Sequence, residues 1–414
     1  TQGTVTEEQM DSLLVWAKEL DTQKVSGDYR DQLKAAIVQA ESDKTSGFAY
    51  EALKDAGTAV ENLTRESWKQ PESSKKLTSV LGWEGDKDAV IAYPEGSFCI
   101  RDNTQRVDQE NNFEMMTVGF NIAKDAADLD WNYVEETEGD RAGYLYPALR
   151  TSFKKDGCDV TITNFGNKVN ISDKNYVAVY SRVSITNNTD TAVTMDPGAS
   201  SEELVRLTYN SRVVQPGETV THDYVVAVDR FGEQYAWPSD DDLAASGSYD
   251  ENYAEMKEFW ESRLDNIVHI KSIPNEEMRR MLYATFIQYN IIKDPYMVAP
   301  GDFRYEEIGN NIHVGENGYD KVFRADMVEM VATVINLGDL NPNDPTGVGG
   351  ADIRMNLQDI LNPMDPSLGH DTNPATKWKV PWMVACYLLK TGDTELVKKC
   401  FITEDTGDID IKEC

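Results

Sequence analysis

Histidine, cysteine and basic residues are all scarce in this chain of 414 residues. Its four histidines, His222, His269, His313 and His370, are dispersed, which leaves no sequence basis for a zinc site or a catalytic triad built on clustered imidazoles. No metal and no cofactor are expected. The five cysteines, Cys99, Cys158, Cys386, Cys400 and Cys414, are odd in number and lack metal-finger or redox spacing, so at least one is free or pairs between chains. Forty Lys and Arg face 72 Asp and Glu, a net charge of -32 that repels phosphate backbones and argues against nucleic acid as a partner. No apolar run approaches the ~20 residues of a membrane span, and no basic-then-apolar leader stands at Thr1. Membrane insertion is therefore not expected.

What is present suffices for substantial cores: 40% of residues are hydrophobic, among them 8 Trp, 19 Tyr and 12 Phe. At about 150 residues per domain the length suggests two or three domains. The hydrophobic period changes twice along the chain, which predicts a multidomain α+β protein: a small helical bundle (1–72), an antiparallel β-sandwich (73–248), a linker helix (249–273) and a second helical region (274–414).

In the bundle, Thr6 and Gln9 make a capping box ahead of the stripe Met10, Leu13, Leu14, Ala17 and Leu20. Leu33, Ile37 and Ala40 mark a second helix; Phe48, Leu53, Ala56, Val60 and Leu63 mark a third. The polar linker Pro71–Ser74 predicts a bundle separable from the rest. Beyond it, β-branched and aromatic runs at 90–93, 115–122, 158–163, 176–186, 204–208 and 220–228 alternate with turns such as Gln215-Pro216-Gly217-Glu218. Asp240, Asp241 and Asp242 read as a solvated loop, since they lack the alternating ligand spacing of a calcium loop. Tyr253, Met256, Phe259 and Trp260 then form an aromatic helix expected to seat the sandwich on the helices after Pro274.

From Pro274 onward helices return, the first with the stripe Met278, Met281, Leu282, Thr285, Phe286 and Tyr289. Long loops separate them, and such loops are usually functional or disordered. They carry Tyr305 among several carboxylates, including Asp302, Glu306, Glu307 and Asp371. Rings that stack on a sugar's apolar face, mixed with groups that bind hydroxyls, suit a polyhydroxylated ligand. At 319–338 the same chemistry enters a helix: Phe323, Arg324 and Asp326 occupy its first turn, Met327, Met330, Val331, Val334 and Leu337 its apolar stripe, and Gly338 its stop.

The bundle pattern, Tyr29, Leu33, Ile37, Ala40-Glu41 and Val60-Glu61, resembles the FIVAR module of secreted and wall-attached proteins of Gram-positive bacteria. The later regions resemble glucoamylase-like glycoside hydrolases of family 15 and their six-hairpin relatives. The residues that carry this are Phe259-Trp260, Gln288-Tyr289, Asp294 to Pro300, Phe323 to Asp326 with Gly338, and Pro381-Trp382 through Tyr387 to Asp393. The resemblance implies the first helical hairpins of an α/α toroid, an extracellular or cell-surface location with its signal peptide removed, association with a cell wall, and inverting hydrolysis of a neutral, α-gluco-type oligosaccharide or polysaccharide. By the same resemblance Asp326 grips the sugar, with Arg324, Phe323, Tyr305, Trp378 and Trp382 as further substrate-binding residues. The family's motif places Arg where Ala325 stands, and Arg324 is offset by about 100° on a helix. Six hairpins exceed the available span, so the general acid and base are expected beyond it, and the catalytic pair is unassigned. Two other readings stay open. One is a non-catalytic carbohydrate-binding or adhesion protein; the other is a polysaccharide lyase with a Tyr/His site, against which the negative charge argues.

Overall fold

The computed structural model describes residues 5–66, 77–86, 88–101, 115–230, 237–270, 273–294, 311–312, 324–339 and 374–394. Three helices open the chain: α1 (Glu7–Lys18), α2 (Gly27–Ser42) and α3 (Gly47–Thr64). The Thr6–Gln9 capping box is formed in both directions, the Thr6 hydroxyl accepting from Gln9 N at 3.1 Å and the Gln9 side chain from Thr6 N at 3.0 Å. Met10, Leu13, Leu14, Leu33, Ala40, Leu53 and Val60 fill the bundle core. Phe48 and Leu63, expected inside, are exposed, and the third helix closes instead over Ala49, Leu53 and Gly57. Gly57 makes room for Trp16: a Cβ added there would lie 2.3 Å from the indole.

Two antiparallel sheets come next. The smaller runs β1 (Ser79–Leu81), β2 (Val90–Ala92), β3 (Phe98–Arg101) and β4 (Met116–Val118) in that order. The larger has the order β10-β12-β8-β7-β6-β5, from β5 (Asp130–Glu135), β6 (Leu145–Lys155), β7 (Cys158–Ile171), β8 (Lys174–Asn187), β10 (Val205–Arg206) and β12 (Thr219–Ala227). A ribbon of β9 (Val193–Thr194) and β11 (Val213–Val214) flanks it. Between the sheets lies one core containing Leu81, Phe98, Ile100, Val118 and Phe120 from one side and Val160, Ile162, Val179, Val183 and Val226 from the other. The backbones approach closely where Gly166 in β7 meets Gly82; a Cβ at Gly166 would lie 2.8 Å from the Gly82 backbone.

The opposite face of the larger sheet is covered by α5 (Tyr249–Leu264) and α6 (Glu276–Ile291), and α7 (Arg324–Leu337) packs with α8 (Pro374–Thr391) in the same apolar core. Strand residues Tyr146, Ala148, Phe165, Tyr180 and Val225 join Met256, Trp260, Phe286, Ile287, Val331, Ile335 and Tyr387 in a single core. The layer order is therefore sheet, sheet, helices. Because alternate strand residues point to opposite faces, the long β7 and β8 contribute to both cores at once.

Several expectations change in detail. The aspartates 240–242 are not a loop but the first turn of α4 (Asp240–Ala244), capped by the Ser239 hydroxyl, and acidic residues are favoured at that end by the helix dipole. In α6 the buried face is rotated: Tyr283 and Ile287 are inside, Met278 and Met281 outside. Gly338 does end α7, at φ 99°. Among the described residues no helix is long and apolar enough to cross a membrane.

The bundle is seated on the sandwich. Glu61 of α3 accepts from Arg206 at 2.7 Å and Arg212 at 2.9 Å, Glu19 accepts from Ser211 and from Arg212 N, and Trp16 meets Tyr209 edge-on at 4.8 Å. Arg65 donates to the carbonyls of Ala199 and Ser201. The expectation of a bundle separable across its polar linker does not include these contacts, because they pair residues far apart in sequence.

Candidate functional site

Of the expected sugar-binding residues, Phe323 and Tyr305 lie outside the described residues. Arg324 and Asp326 fall in the first turn of α7 and Trp378 in the first half of α8, but their side chains also lie outside what is described. Trp382 is 46% exposed on α8, available to a ligand. Other residues that carried the resemblance act in packing. Trp260 is fully buried, Phe259 lies on the Trp83 ring at 4.3 Å, Tyr289 is in the core, and Gln288 donates to the Tyr133 hydroxyl at 3.2 Å.

A second constellation arises where the β5–β6 hairpin meets α5. Two adjoining clefts of about 550 and 440 Å³ share Glu136, Asp140, Tyr144 and His269. Tyr144, just before β6, and Tyr146 within it are two apart and face one way; Glu261 on α5 and Asp265, its C-cap, are four apart and also share a face. Pairing results from that geometry. Tyr144 donates to Asp265 Oδ1 at 2.9 Å, and its hydroxyl is 2.9 Å from Nδ1 and 3.0 Å from Nε2 of His269. Tyr146 donates to Glu261 at 2.8 Å. Arg141 bridges Glu261 and Asp265 at 2.8 and 2.7 Å, and Lys257 donates to Glu136.

These partners set the electrostatics. Arg141 holds Asp265 below the usual aspartate range, and Lys257 does the same for Glu136. At Glu135, burial acts upward, but hydrogen bonds from Arg279 and Arg280 outweigh it. Burial and the neighbouring carboxylates push both tyrosines well above their ordinary value. The cleft thus offers ionised acceptors beside protonated tyrosine hydroxyls, a set suited to gripping a polyhydroxylated ligand rather than to delivering a proton. Its Tyr/His pair is what a lyase would require, yet the surrounding Glu136, Glu138, Asp140, Glu261 and Asp265 would repel a uronate.

Glu203 and Asp240 have carboxyls shifted upward. Burial raises both, with Asp240 adding to Glu203 and Asp241 adding to Asp240. Asp240 stands out in the sequence only as part of the run Asp240–Asp242, and Glu203 does not stand out. The Tyr144 cleft does not either, since its only local signals are Tyr144-Leu145-Tyr146 and the four-residue spacing of Glu261 and Asp265. No family model matches the chain, and no curated protein matches it.

Proposed function

We propose that this is an exported carbohydrate-active protein resembling an inverting glycoside hydrolase, in which α6, α7 and α8 belong to an α/α toroid and Asp326 helps hold a neutral, α-gluco-type sugar. What supports this reading is the single core joining one face of the larger sheet to α5, α6, α7 and α8. A sandwich with one face committed to helices is built as part of a larger scaffold, whereas a free-standing adhesion module would leave that face to solvent. In such an enzyme one carboxyl of raised pKa protonates the glycosidic oxygen, and a second activates water on the opposite face. The catalytic pair is not assigned.

The alternative, a non-catalytic cell-surface carbohydrate-binding protein, draws support from the Tyr144 cleft, where Asp265 and Glu136 are held below the usual carboxylate range. Tryptophan-fluorescence titration of the chain with maltotriose tests both readings. Under the hydrolase reading Asp326→Asn weakens binding roughly ten- to a hundredfold, as loss of about 1.5–3 kcal/mol from a charged acceptor implies, and Trp382→Ala also weakens it. Binding lost with Glu261→Gln and Tyr144→Phe, but untouched by Asp326→Asn and Trp382→Ala, would move the assignment to the cleft. Absence of any saturable response to neutral glucans would remove both.

A further inference from the structure

The junction of bundle and sandwich holds hydrogen-bond donors with nothing to donate to. Arg206 in β10 lies directly across from Tyr224 in β12, its guanidinium 4.9 Å from the Tyr224 ring and 5.8 Å from that of Trp16. His222 is two residues from Tyr224 on the same strand and therefore on the same face. Arg212, just before β11, reaches the same place, since both arginines donate to one oxygen, Glu61 Oε1, at 2.7 and 2.9 Å. All four residues are more than nine-tenths buried: Arg206 8%, Arg212 5%, His222 0% and Tyr224 1% exposed. Yet Arg206 Nε and Nη1, Arg212 Nη1, the Tyr224 hydroxyl, both ring nitrogens of His222 and Trp16 Nε1 make no hydrogen bond. Arg212 Nε lies 2.7 Å from Asp196 Oδ2 without forming a hydrogen bond, so that contact is an ion pair with poor N–H alignment.

Buried polar groups in native proteins have partners, and so many orphans in one place require an occupant. The orphaned groups are mostly donors. A water molecule accepts from them but brings two protons of its own, for which the cluster offers few acceptors; a simple anion only accepts. Charge points the same way. The two arginine side chains are 6% exposed, whereas Glu61 is 20% and Asp196 48% exposed, so the positive charge is the deeper. The Glu19 carboxylate is already engaged by Ser211 and the Arg212 backbone. His222, depressed to about 3 by burial and then by Arg206, stays neutral and supplies one N–H. The net charge of -32 acts against anions at long range, but in ordinary saline the screening length is about 8 Å, and near donors decide.

We propose that a small monovalent inorganic anion of the halide class binds between Arg206, Arg212, Tyr224 and Trp16, and that it helps lock the helical bundle onto the sandwich. The test is thermal unfolding of the whole chain in sodium chloride, sodium bromide or sodium gluconate at constant ionic strength, monitored by far-ultraviolet circular dichroism. Midpoints are expected to rise saturably with chloride and bromide by several degrees and not with gluconate. Tyr224→Phe, which removes one donor and keeps the ring packing, and Trp16→Phe, which removes another donor with a smaller ring, should each weaken the halide dependence several-fold. Bromide-soaked crystals should show an anomalous peak within reach of Arg206 and Arg212. Equal midpoints in all three salts, a halide response unchanged by both variants, or ordered water without an anomalous peak would each overturn the proposal.

Discussion

The two seats of the sandwich differ in kind. Against α5 and α6 it presents an apolar face, whose core extends to α7 and α8 and buries Trp260, Met256, Phe286, Ile287 and Tyr387. The arginines near this seat are paired with carboxylates, although Arg263 Nε and Trp260 Nε1 make no hydrogen bond. Arg263 donates to Glu84 at 2.9 Å and to Asp339 at 2.8 and 3.0 Å, and Arg182 grips Asp223 and Asp250 at 2.7–3.0 Å. Against the bundle it presents buried arginines, one shared carboxylate and orphaned donors, with Trp16 on Tyr209 as an aromatic contact. Apolar burial is insensitive to salt and pH near neutrality, while partly satisfied buried charge responds to both. The helical seat should therefore unfold with the sheet, and the bundle seat should answer to solution conditions.

The harshest challenge to this contrast is Trp260→Ala. Removing that fully buried ring should cost about 3–5 kcal/mol, and helix and sheet signals should fall together in urea. Loss of helical signal with an intact sheet would show that the core is not shared. Arg263→Met removes the guanidinium bound to the buried Glu84 and Asp339, and a similar loss of about 3–5 kcal/mol is expected. A change below about 1 kcal/mol in the same titration would mean that water takes over the pair.

On the bundle side, Gly57→Ala forces a methyl against Trp16 and should destabilise by about 1–3 kcal/mol, visible first in Trp16 fluorescence. The pH response sharpens the contrast further. His222 has an ordinary value of 6.5 and a folded value of about 3, so between those limits the unfolded chain binds a proton that the native chain refuses. Stability is complete above 6.5 and declines as pH falls, by about 1.4 kcal/mol per pH unit from this residue once pH is well below 6.5. His222→Phe should flatten that part of the curve in denaturant titrations from pH 7 to 5; an unchanged slope would place its origin elsewhere. The smallest effect belongs to the helical seat: Ser248→Ala removes the capping box of α5 and should cost about 1 kcal/mol without altering the pH profile.

Local chemistry makes some elements readable. The bundle helices, α5 and the hairpin strands β7, β8 and β12 have strong periods and clear caps or turns. Strand β6 escapes a reading by pattern because Leu145 to Lys155 contains Pro147 and is buried on both faces at its start, which removes the alternation. Its one signal is the Asp156-Gly157 turn, with φ 50° and 79°, which joins it to β7. Strand β5, Asp130–Glu135, is too polar to register. The face of α6 is ambiguous in sequence because two methionines fit the same period as the buried Tyr283 and Ile287.

By itself the sequence determined the succession of bundle, strands and helices, the caps that start α1 and the glycine that stops α7, because these depend on residues within one or two turns of each other. Only the tertiary structure decided that one sheet face would join a core containing residues of four helices. It alone brought Tyr144 and Tyr146 to Glu261, Asp265 and His269, and it set two buried arginines under Glu61 from a helix about 145 residues earlier in the chain. Contacts of that separation depend on how the layers stack, which no local period encodes.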